Sequence, residues 1–483
     1  MAKENKMDLP LHVHNVLLAT SPLPVLPAHS AVLLGLSGGV DSVVLLHLLH
    51  QLAAKNAWSL RALHVHHGIS PQADSWAEFC AMLCKKLNVP LQIERVHIAS
   101  LRAMGIEAAA RKLRHAALLS QPENYIALAH HQDDQAETLL LQLLRGAGVR
   151  GAAAMPPVKN KMHGTLQKTL LRPLLDVPRS ALMDYAQQHG LHWVEDESNA
   201  EETYPRNFLR HRVLPQLEKK FPVYRETLSR SARHFAEASA LLDELAALDL
   251  IRQDLMGQPS SAQEGAQGAT LEVSRLCELS AARGKNLLRY FLAKLGAPTP
   301  DSTQLVEMLH QLCHARRDAA VCVTFGGWQA RRYKGRVYAS PMKSALAENW
   351  AENFCVTWRG ESVLPLPELN STLHFDIVHG QGLSLKKLQE KSVTIRLRRG
   401  AERIRPSHAN SNTQSPTRTL KNLLQEHDIP PWQRDILPLL FCGEDLVWVA
   451  GVATAAEYVT HPGEAGVLLA LVSNQNDHDV GLA

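Results

Sequence analysis

Gly38 and Gly39 stand side by side in LLGLSGGVDS, with Ser37 before them and Val40, Asp41 and Ser42 after them. Glycine lacks a Cβ and enters φ > 0 without strain, so such a pair lets backbone N–H groups turn toward a ligand. A helix start just behind the turn favours an anion. Ser37 and Ser42 bring hydroxyl donors and Asp41 a carboxylate, a set suited to phosphate chemistry. Neither GK[ST] nor a spaced GxGxxG is present, so the phosphate loops those motifs mark are excluded.

Four more clusters carry reactive side chains. In HHQDDQAET, His130 to Thr138, the acids Asp133, Asp134 and Glu137 fall in a first helical turn, with Asp134 and Glu137 at i and i+3. Carboxylates so placed can hold Mg²⁺. Acids are also ordinary at helix starts, which accounts for one of them better than for three. HVHHG, His64 to Gly68, puts His64 and His66 on one strand face, and two imidazoles do not close a zinc site; neutral, hydrogen-bonding histidines are expected. ARKLRH sets Arg111 and Arg114 one turn apart, able to grip phosphate or carboxylate or simply to face solvent. RNFLRHRVLP offers Arg206, Arg210 and Arg212 with Asn207, for phosphate contact or as a surface helix.

The elements that must position these clusters are strands alternating with helices. Apolar runs at Ala31 to Leu36, Leu60 to His66, Leu91 to Ile98 and Tyr125 to His130 are each followed by a helical pattern, which predicts a parallel α/β sheet. In such a sheet ligands gather outside the carboxyl ends of the strands, where three of the polar clusters fall. Trp76, Phe79, Cys80, Leu83, Cys84 and Leu87 form one apolar helical stripe, so Cys80 and Cys84 are expected in the core.

A chain of 483 residues suggests about three domains. The boundaries expected are 1–222 for an α/β domain, 223–345 for a helix-rich middle domain with a strand pair around Ala320 to Ala339, and 346–483 for a small mixed α+β domain with a helix near Leu420 to His427. A long helix from Tyr224 to about Asp254 and a polar loop over Gly257 to Thr270 open the second of these. Net charge is only +4, but Arg396 to Lys421 carries seven Lys/Arg against Glu402 alone, and Arg331, Arg332, Lys334 and Arg336 form a second basic group. That distribution predicts a nucleic acid held across several domains through its phosphates. Seven scattered cysteines without a CxxC pair fit a reduced, cytoplasmic protein. No stretch approaches the ~20 apolar residues of a membrane span, so no membrane partner is expected.

SGGVDS after a strand resembles the pyrophosphate loop of the N-type ATP pyrophosphatases, the PP-loop superfamily. Together with HVHHGISPQADSWAEFC, HHQDDQAETLLLQLLRGAG, EDESN with RNFLRHRVLP, and LKNLLQEHDIPPWQRDILPLL, it makes the chain similar to the tRNA(Ile)-lysidine synthetase family. The resemblance implies ATP-dependent attachment of L-lysine to the wobble cytidine of the CAU anticodon of an isoleucine tRNA, through an adenylylated cytidine, with AMP and pyrophosphate as products. It implies ATP on Ser37, Gly38, Gly39, Val40, Asp41 and Ser42, and Mg²⁺ on Asp41 and Asp134. Asp134 and Glu137 would serve the metal or the lysine amine, and Arg111 and Arg206 would position substrate or tRNA. A homodimer is left open. Two positions depart from the family pattern: His115 replaces a Tyr at the end of ARxxRY, and Ala401 replaces a glycine. Ser407 to Pro416 reads as a polar insertion.

Competing readings are a tRNA sulfur transferase, which wants a reactive cysteine pair, a small-molecule synthetase of the same ATPase class, and a non-catalytic RNA-binding protein. The intact loop and acidic motif oppose the last, and the basic C-terminal third opposes the second.

Overall fold

The computed structural model describes residues 7–18, 26–97, 105–163, 166–197, 201–251, 270–316, 319–342, 354–369, 371–407 and 416–473, and the chain divides into two compact units, 1–241 and 242–483. Most of the polar stretches at Gly257 to Thr270 and Ser407 to Pro416 lie outside the described residues.

The first unit begins with α1 (Leu9–Leu18), β1 (Ala31–Gly35), α2 (Val40–Asn56), β2 (Ser59–His66), α3 (Ala73–Lys86), β3 (Leu91–Arg95), α4 (Ile106–Leu119), β4 (Tyr125–Ala127) and α5 (Gln132–Leu144). It continues with α6 (Val149–Ala152), β5 (Val158–His163), β6 (Leu166–Leu171), α7 (Arg179–Gln188), α8 (Pro205–Phe208), a π-helical turn over Leu209–Val213, α9 (Leu214–Lys220) and α10 (Tyr224–Ile251), whose residues from Leu242 on belong to the second unit. The expected alternation is present, with β3 and β4 ending short of Ile98 and His130. β5 and β6 add a hairpin that the alternation did not predict.

β1 explains why the sheet is parallel. Its burial is nearly continuous, Val32 and Leu34 facing Val44, Leu45 and Leu48 of α2 while Leu33 turns to the other face with Leu118 of α4 and Ile126. A strand covered on both faces suits a parallel sheet flanked by helices. Each such leucine contributes about 1.5–3 kcal/mol by burial. The strand order is β3-β2-β1-β4-β6-β5, parallel throughout except for the edge strand β5. β1 is hydrogen-bonded to β2 on one side and β4 on the other, so the order reverses there and a crevice opens at the carboxyl ends of β1 and β4. The glycine loop follows β1, and the acidic motif follows β4.

The second unit opens with β7 (Leu271–Glu272), α11 (Val273–Glu278), α12 (Ala281–Lys294), α13 (Ser302–His314), β8 (Cys322–Phe325), β9 (Trp328–Tyr333) and β10 (Arg336–Pro341). The expected strand pair is thus part of a four-stranded sheet, β7-β10-β9-β8, packed on the helices through Leu276, Leu288, Met308 and Ala330. Next come β11 (Cys355–Trp358), β12 (Val363–Leu366), β13 (Ser371–His379), β14 (Leu383–Ser384), α14 (Leu385–Leu388), β15 (Val393–Arg396), β16 (Arg403–Ile404) and β17 (Arg418–Thr419). The described chain closes with α15 (Leu420–Glu426), α16 (Pro431–Arg434), β18 (Leu439–Cys442), β19 (Asp445–Val449), β20 (Ala453–Thr454) and β21 (Ala465–Ser473). Two antiparallel sheets, β11-β15-β18-β19-β20 and β12-β13-β21-β14, share a core of Leu373, Phe375, Ile395, Leu440 and Val467.

Trp432 joins the middle and C-terminal parts of this unit. Its ring meets Tyr333 and Tyr338 edge-on at 5.9 and 5.7 Å, and the Arg331 guanidinium lies 4.9 Å from its centre. Lys334 pairs with Asp428, and Arg434 donates to the Tyr333 hydroxyl at 3.1 Å.

Candidate active site

Only one of the two loop glycines uses the left-handed region: Gly38 has φ +90°, whereas Gly39, the N-cap of α2, has φ −70°. A Cβ at Gly38 would also lie 2.9 Å from Val194 Cγ2 and 3.2 Å from Cys80 Sγ, so the position demands glycine on two counts. The two serines shape the loop. Ser42 Oγ accepts from Gly38 N at 3.1 Å and donates to Gly39 O at 2.9 Å, and Ser37 Oγ donates to Ser42 Oγ at 3.1 Å. The N–H groups of Val40, Asp41 and Ser42 begin α2 without an acceptor four residues back, which leaves them, with the helix dipole, as an anion seat.

Across the crevice, α5 starts at the N-cap residue His131, whose N–H donates to Asp134 Oδ2 at 3.1 Å. The expected capping role therefore falls to one acid of the three. Gln135, buried, exchanges two hydrogen bonds with the Met155 backbone and anchors the helix. Asp134 Oδ1 accepts from Arg206 Nη2 at 2.8 Å, and Glu137, 1 % exposed, accepts from Arg206 Nε at 2.6 Å. Arg210, on the π-helical turn, closes the other side with two bonds to Glu137 at 2.7 and 2.9 Å. Such turns recur at functional sites because they re-aim one side chain.

His131 is the hinge between loop and motif. Its Nε2 lies 3.6 Å from Asp41 Oδ2 and 3.5 Å from Asp134 Oδ2, and its Nδ1 is 3.7 Å from Asp133 Oδ2. Burial alone would lower its pKa, but Asp134, Asp41 and Asp133 together raise it above the ordinary value. Burial works against the charged form of Asp134 too, yet His131 and Arg206 hold its carboxyl well below the usual range. Asp41 Oδ1 is buried without a hydrogen-bond partner. Two carboxylates, one with an unsatisfied oxygen, beside an anion seat fit a Mg²⁺ ion completed by phosphate oxygens and water. Among the described residues no group of three or more His, Cys, Asp or Glu forms a self-sufficient metal cage.

Cations crowd the side of the crevice nearest β6. Arg172 is 7 % exposed, its Nη1 donates to Pro156 O, and its Nε is buried without a partner. Burial and Arg111 lower its pKa to about 10. Burial, then Arg111, Lys161, Arg172 and Arg114, lower that of His115 to about 4. Burial takes His130 to about 3, Asp134 opposing and Arg172, Arg206 and Arg111 assisting. A cluster whose cations lower one another's pKa is one that a nearby anion would stabilise. His64 is lowered as well, chiefly by burial, and its Nδ1 is 2.9 Å from Leu36 O, in keeping with the neutral histidines expected. Burial pushes the Cys80 and Cys84 thiols up to about 12 and about 11, so neither supplies a thiolate for sulfur transfer.

Asp41, Asp134, Glu137 and Arg206 are thus gathered around His131, with Ser37, Gly38, Gly39, Val40 and Ser42 forming the adjoining loop. Arg111 stands on α4 among the cations, its charge felt by His115, His130 and Arg172. The residues the spacing did not single out are His131 and Arg172; Asp133 and Arg210 are named with their motifs but given no separate role. Arg210 had a signal, lying one helical turn beyond Arg206; Arg172 had none, since its role depends on β6 pairing with β4.

Comparison with known proteins adds three segments. Residues 13–217 match the PP-loop domain family, 271–338 the TilS substrate binding domain, and 393–471 the TilS substrate C-terminal domain. The chain is 42 % identical over 435 residues to the tRNA(Ile)-lysidine synthase of Nitrosomonas europaea, covering 90 % of each. It is 38 % identical to that of an Azoarcus species, 90 % of each chain being covered, and 38 % identical to that of Coxiella burnetii, with 89 % of this chain and 90 % of that one covered.

Proposed function

The chain belongs to the tRNA(Ile)-lysidine synthase family, and from that membership we propose how its own residues divide the work of ATP-dependent lysidine formation on tRNA(Ile). The first step joins the C2 carbonyl oxygen of the wobble cytidine in a CAU anticodon to the α-phosphorus of ATP, breaking the α–β phosphoanhydride bond and releasing pyrophosphate. The second joins the ε-amine of L-lysine to C2, expels AMP and returns the amine proton to solvent.

The amides of Val40, Asp41 and Ser42, with Gly38 and Gly39 holding the loop in shape, receive the phosphates. Asp41 and Asp134 would hold Mg²⁺, which when bound neutralises charge on the leaving pyrophosphate. Arg111 and Arg172 lie where further phosphate charge, from ATP or the anticodon loop, is neutralised. Arg206 and Arg210 hold Glu137 and Asp134 in place, so that the acidic edge can orient the incoming amine. The observation that carries this reading is the meeting of Asp41 and Asp134 at one His131 nitrogen, 3.6 and 3.5 Å away. It supports a single reaction volume shared by the nucleotide loop and the acidic motif.

The test is incubation of the protein with ATP, labelled lysine and tRNA(Ile). Label enters the tRNA only when all three are present, and Asp41→Asn reduces incorporation by at least about 100-fold, the scale on which lost transition-state electrostatics are felt. An Asp41→Asn protein that incorporates lysine normally removes the site assignment.

A further inference from the structure

Beyond the groups that face the substrates, we propose that Arg225 is a positioning residue for lysidine formation: by gripping Asp133 it holds the His131 imidazole between Asp41 and Asp134. The proposal rests on the reading of that crevice as the reaction centre.

Both nitrogens of His131 face carboxylates at 3.5 to 3.7 Å, outside hydrogen-bond length, and Nδ1 is buried without a hydrogen-bond partner. The acids around the ring therefore share in setting its orientation. Asp41 belongs to the loop and Asp134 is committed to Arg206 and to the His131 N–H. Asp133 is the acid facing Nδ1, and both of its oxygens are held from outside the motif. Oδ2 accepts from Arg179 N, the first residue of α7, at 3.1 Å, and Oδ1 accepts from Arg225 Nε at 2.5 Å.

Arg225 is itself fixed. Its Nη1 and Nη2 donate to Glu218 on α9 at 2.6 and 3.3 Å, and its guanidinium carbon lies 4.6 Å from the centre of the Tyr224 ring, which is 4 % exposed. A planar fork held this way can set the position of a carboxylate, where a lysine could offer only a point charge. The order Arg225, Asp133, His131 has the form of an outer support that orients a histidine through a carboxylate, an arrangement whose loss costs about 10- to 100-fold in activity.

The experiment uses the full chain with tRNA(Ile), measuring kcat and KM for ATP and for lysine, together with tRNA-dependent pyrophosphate release. Arg225→Gln is expected to lower kcat by about 10- to 100-fold with both KM values within about twofold. Arg225→Lys is expected to recover part of that loss, and Asp133→Asn to reproduce it without the risk of unseating α10. In a His131→Gln background Arg225→Gln adds nothing, because the residue acts through that ring. Unchanged kcat in Arg225→Gln and Asp133→Asn overturns the proposal. So do additive losses in the double variant, or a fall in activity that only tracks a fall in Tm and is not rescued by lysine. A wild-type protein that releases no pyrophosphate with tRNA would instead sink the functional reading beneath it.

Discussion

Arginines do opposite work in two regions, the acidic crevice of the first unit and the C-terminal sheets of the second. In the first, Arg206 and Arg210 close on Asp134 and Glu137, acids that are 13 % and 1 % exposed, and the four groups form one desolvated frame. In the second, Arg396, Arg398, Arg405 and Arg418 meet Glu444, Asp435, Glu457 and Glu426, acids that are 88, 77, 72 and 54 % exposed. Exposed pairs contribute about 0–1 kcal/mol and weaken with salt, whereas removing one partner of a buried pair strands a charge at a cost of about 3–5 kcal/mol. The same side chain is thus committed around Glu137 and exchangeable on the surface of the C-terminal sheets. On the proposed reading an RNA phosphate would replace Glu444 or Glu457 at little cost, and it would not replace Glu137.

The contrast breaks first at Glu137. Glu137→Ala leaves Arg206 and Arg210 without their shared partner, and it is expected to lower stability by about 3 kcal/mol, read as a reduced urea midpoint, and to abolish lysine incorporation. A midpoint within error of the wild type would place the first-unit arginines in the exchangeable class.

Acid sharpens the comparison next. His115, His130 and His67 have folded pKa values lowered to about 4, about 3 and about 4 from an ordinary 6.5, each chiefly by burial. The folded state then binds fewer protons than the unfolded one below pH 6.5. These groups contribute stability that is present above that value and is lost as pH falls toward 4. Urea midpoints measured from pH 7 to pH 4.5 should fall, and His115→Tyr, which removes one titrating group from among the cations, should flatten the slope. An unaltered slope would show that His115 is charged in the folded protein.

The smallest effects belong to the second unit. Glu444→Gln and Glu457→Gln should each leave stability within about 0.5 kcal/mol and tighten tRNA binding by up to about fivefold at low salt. Arg405→Gln should weaken binding and make the slope of log K against log salt shallower by about one, if its charge reaches a phosphate. Weaker tRNA binding by Glu457→Gln would mean that the acid itself supports the RNA surface.

How much of this was legible varied with contact distance along the chain. The glycine loop and HHQDDQAET announce themselves as strand–turn–helix junctions, because the apolar periods on either side of each are local. Their convergence followed from one rule about parallel sheets. By contrast, the acids that quiet the +6 stretch are Glu426, Asp435, Glu444 and Glu457, all beyond its end, so a charge count confined to Arg396 to Lys421 overstates the free cations. Arg331, Arg332, Lys334 and Arg336 are likewise engaged within the protein, on Trp432, on the Leu312 and Ala315 carbonyls, on Asp428 and on Glu272. The β5–β6 hairpin escaped notice because Lys159, Asn160 and Lys161 break the apolar pattern of an edge strand.

Residue types and short spacings by themselves determined the parallel α/β core, the anion-seating loop and the acid-rich helix start, since each depends on backbone geometry within about ten residues. Tertiary structure alone decided which charges meet: that Arg210 reaches Glu137 across 73 residues and Arg225 reaches Asp133 across 92, and that His131 becomes the meeting point of two motifs. Charge pairing acts through space at a few ångströms, and a linear order of residues carries that distance only after the sheet has brought its strand ends together.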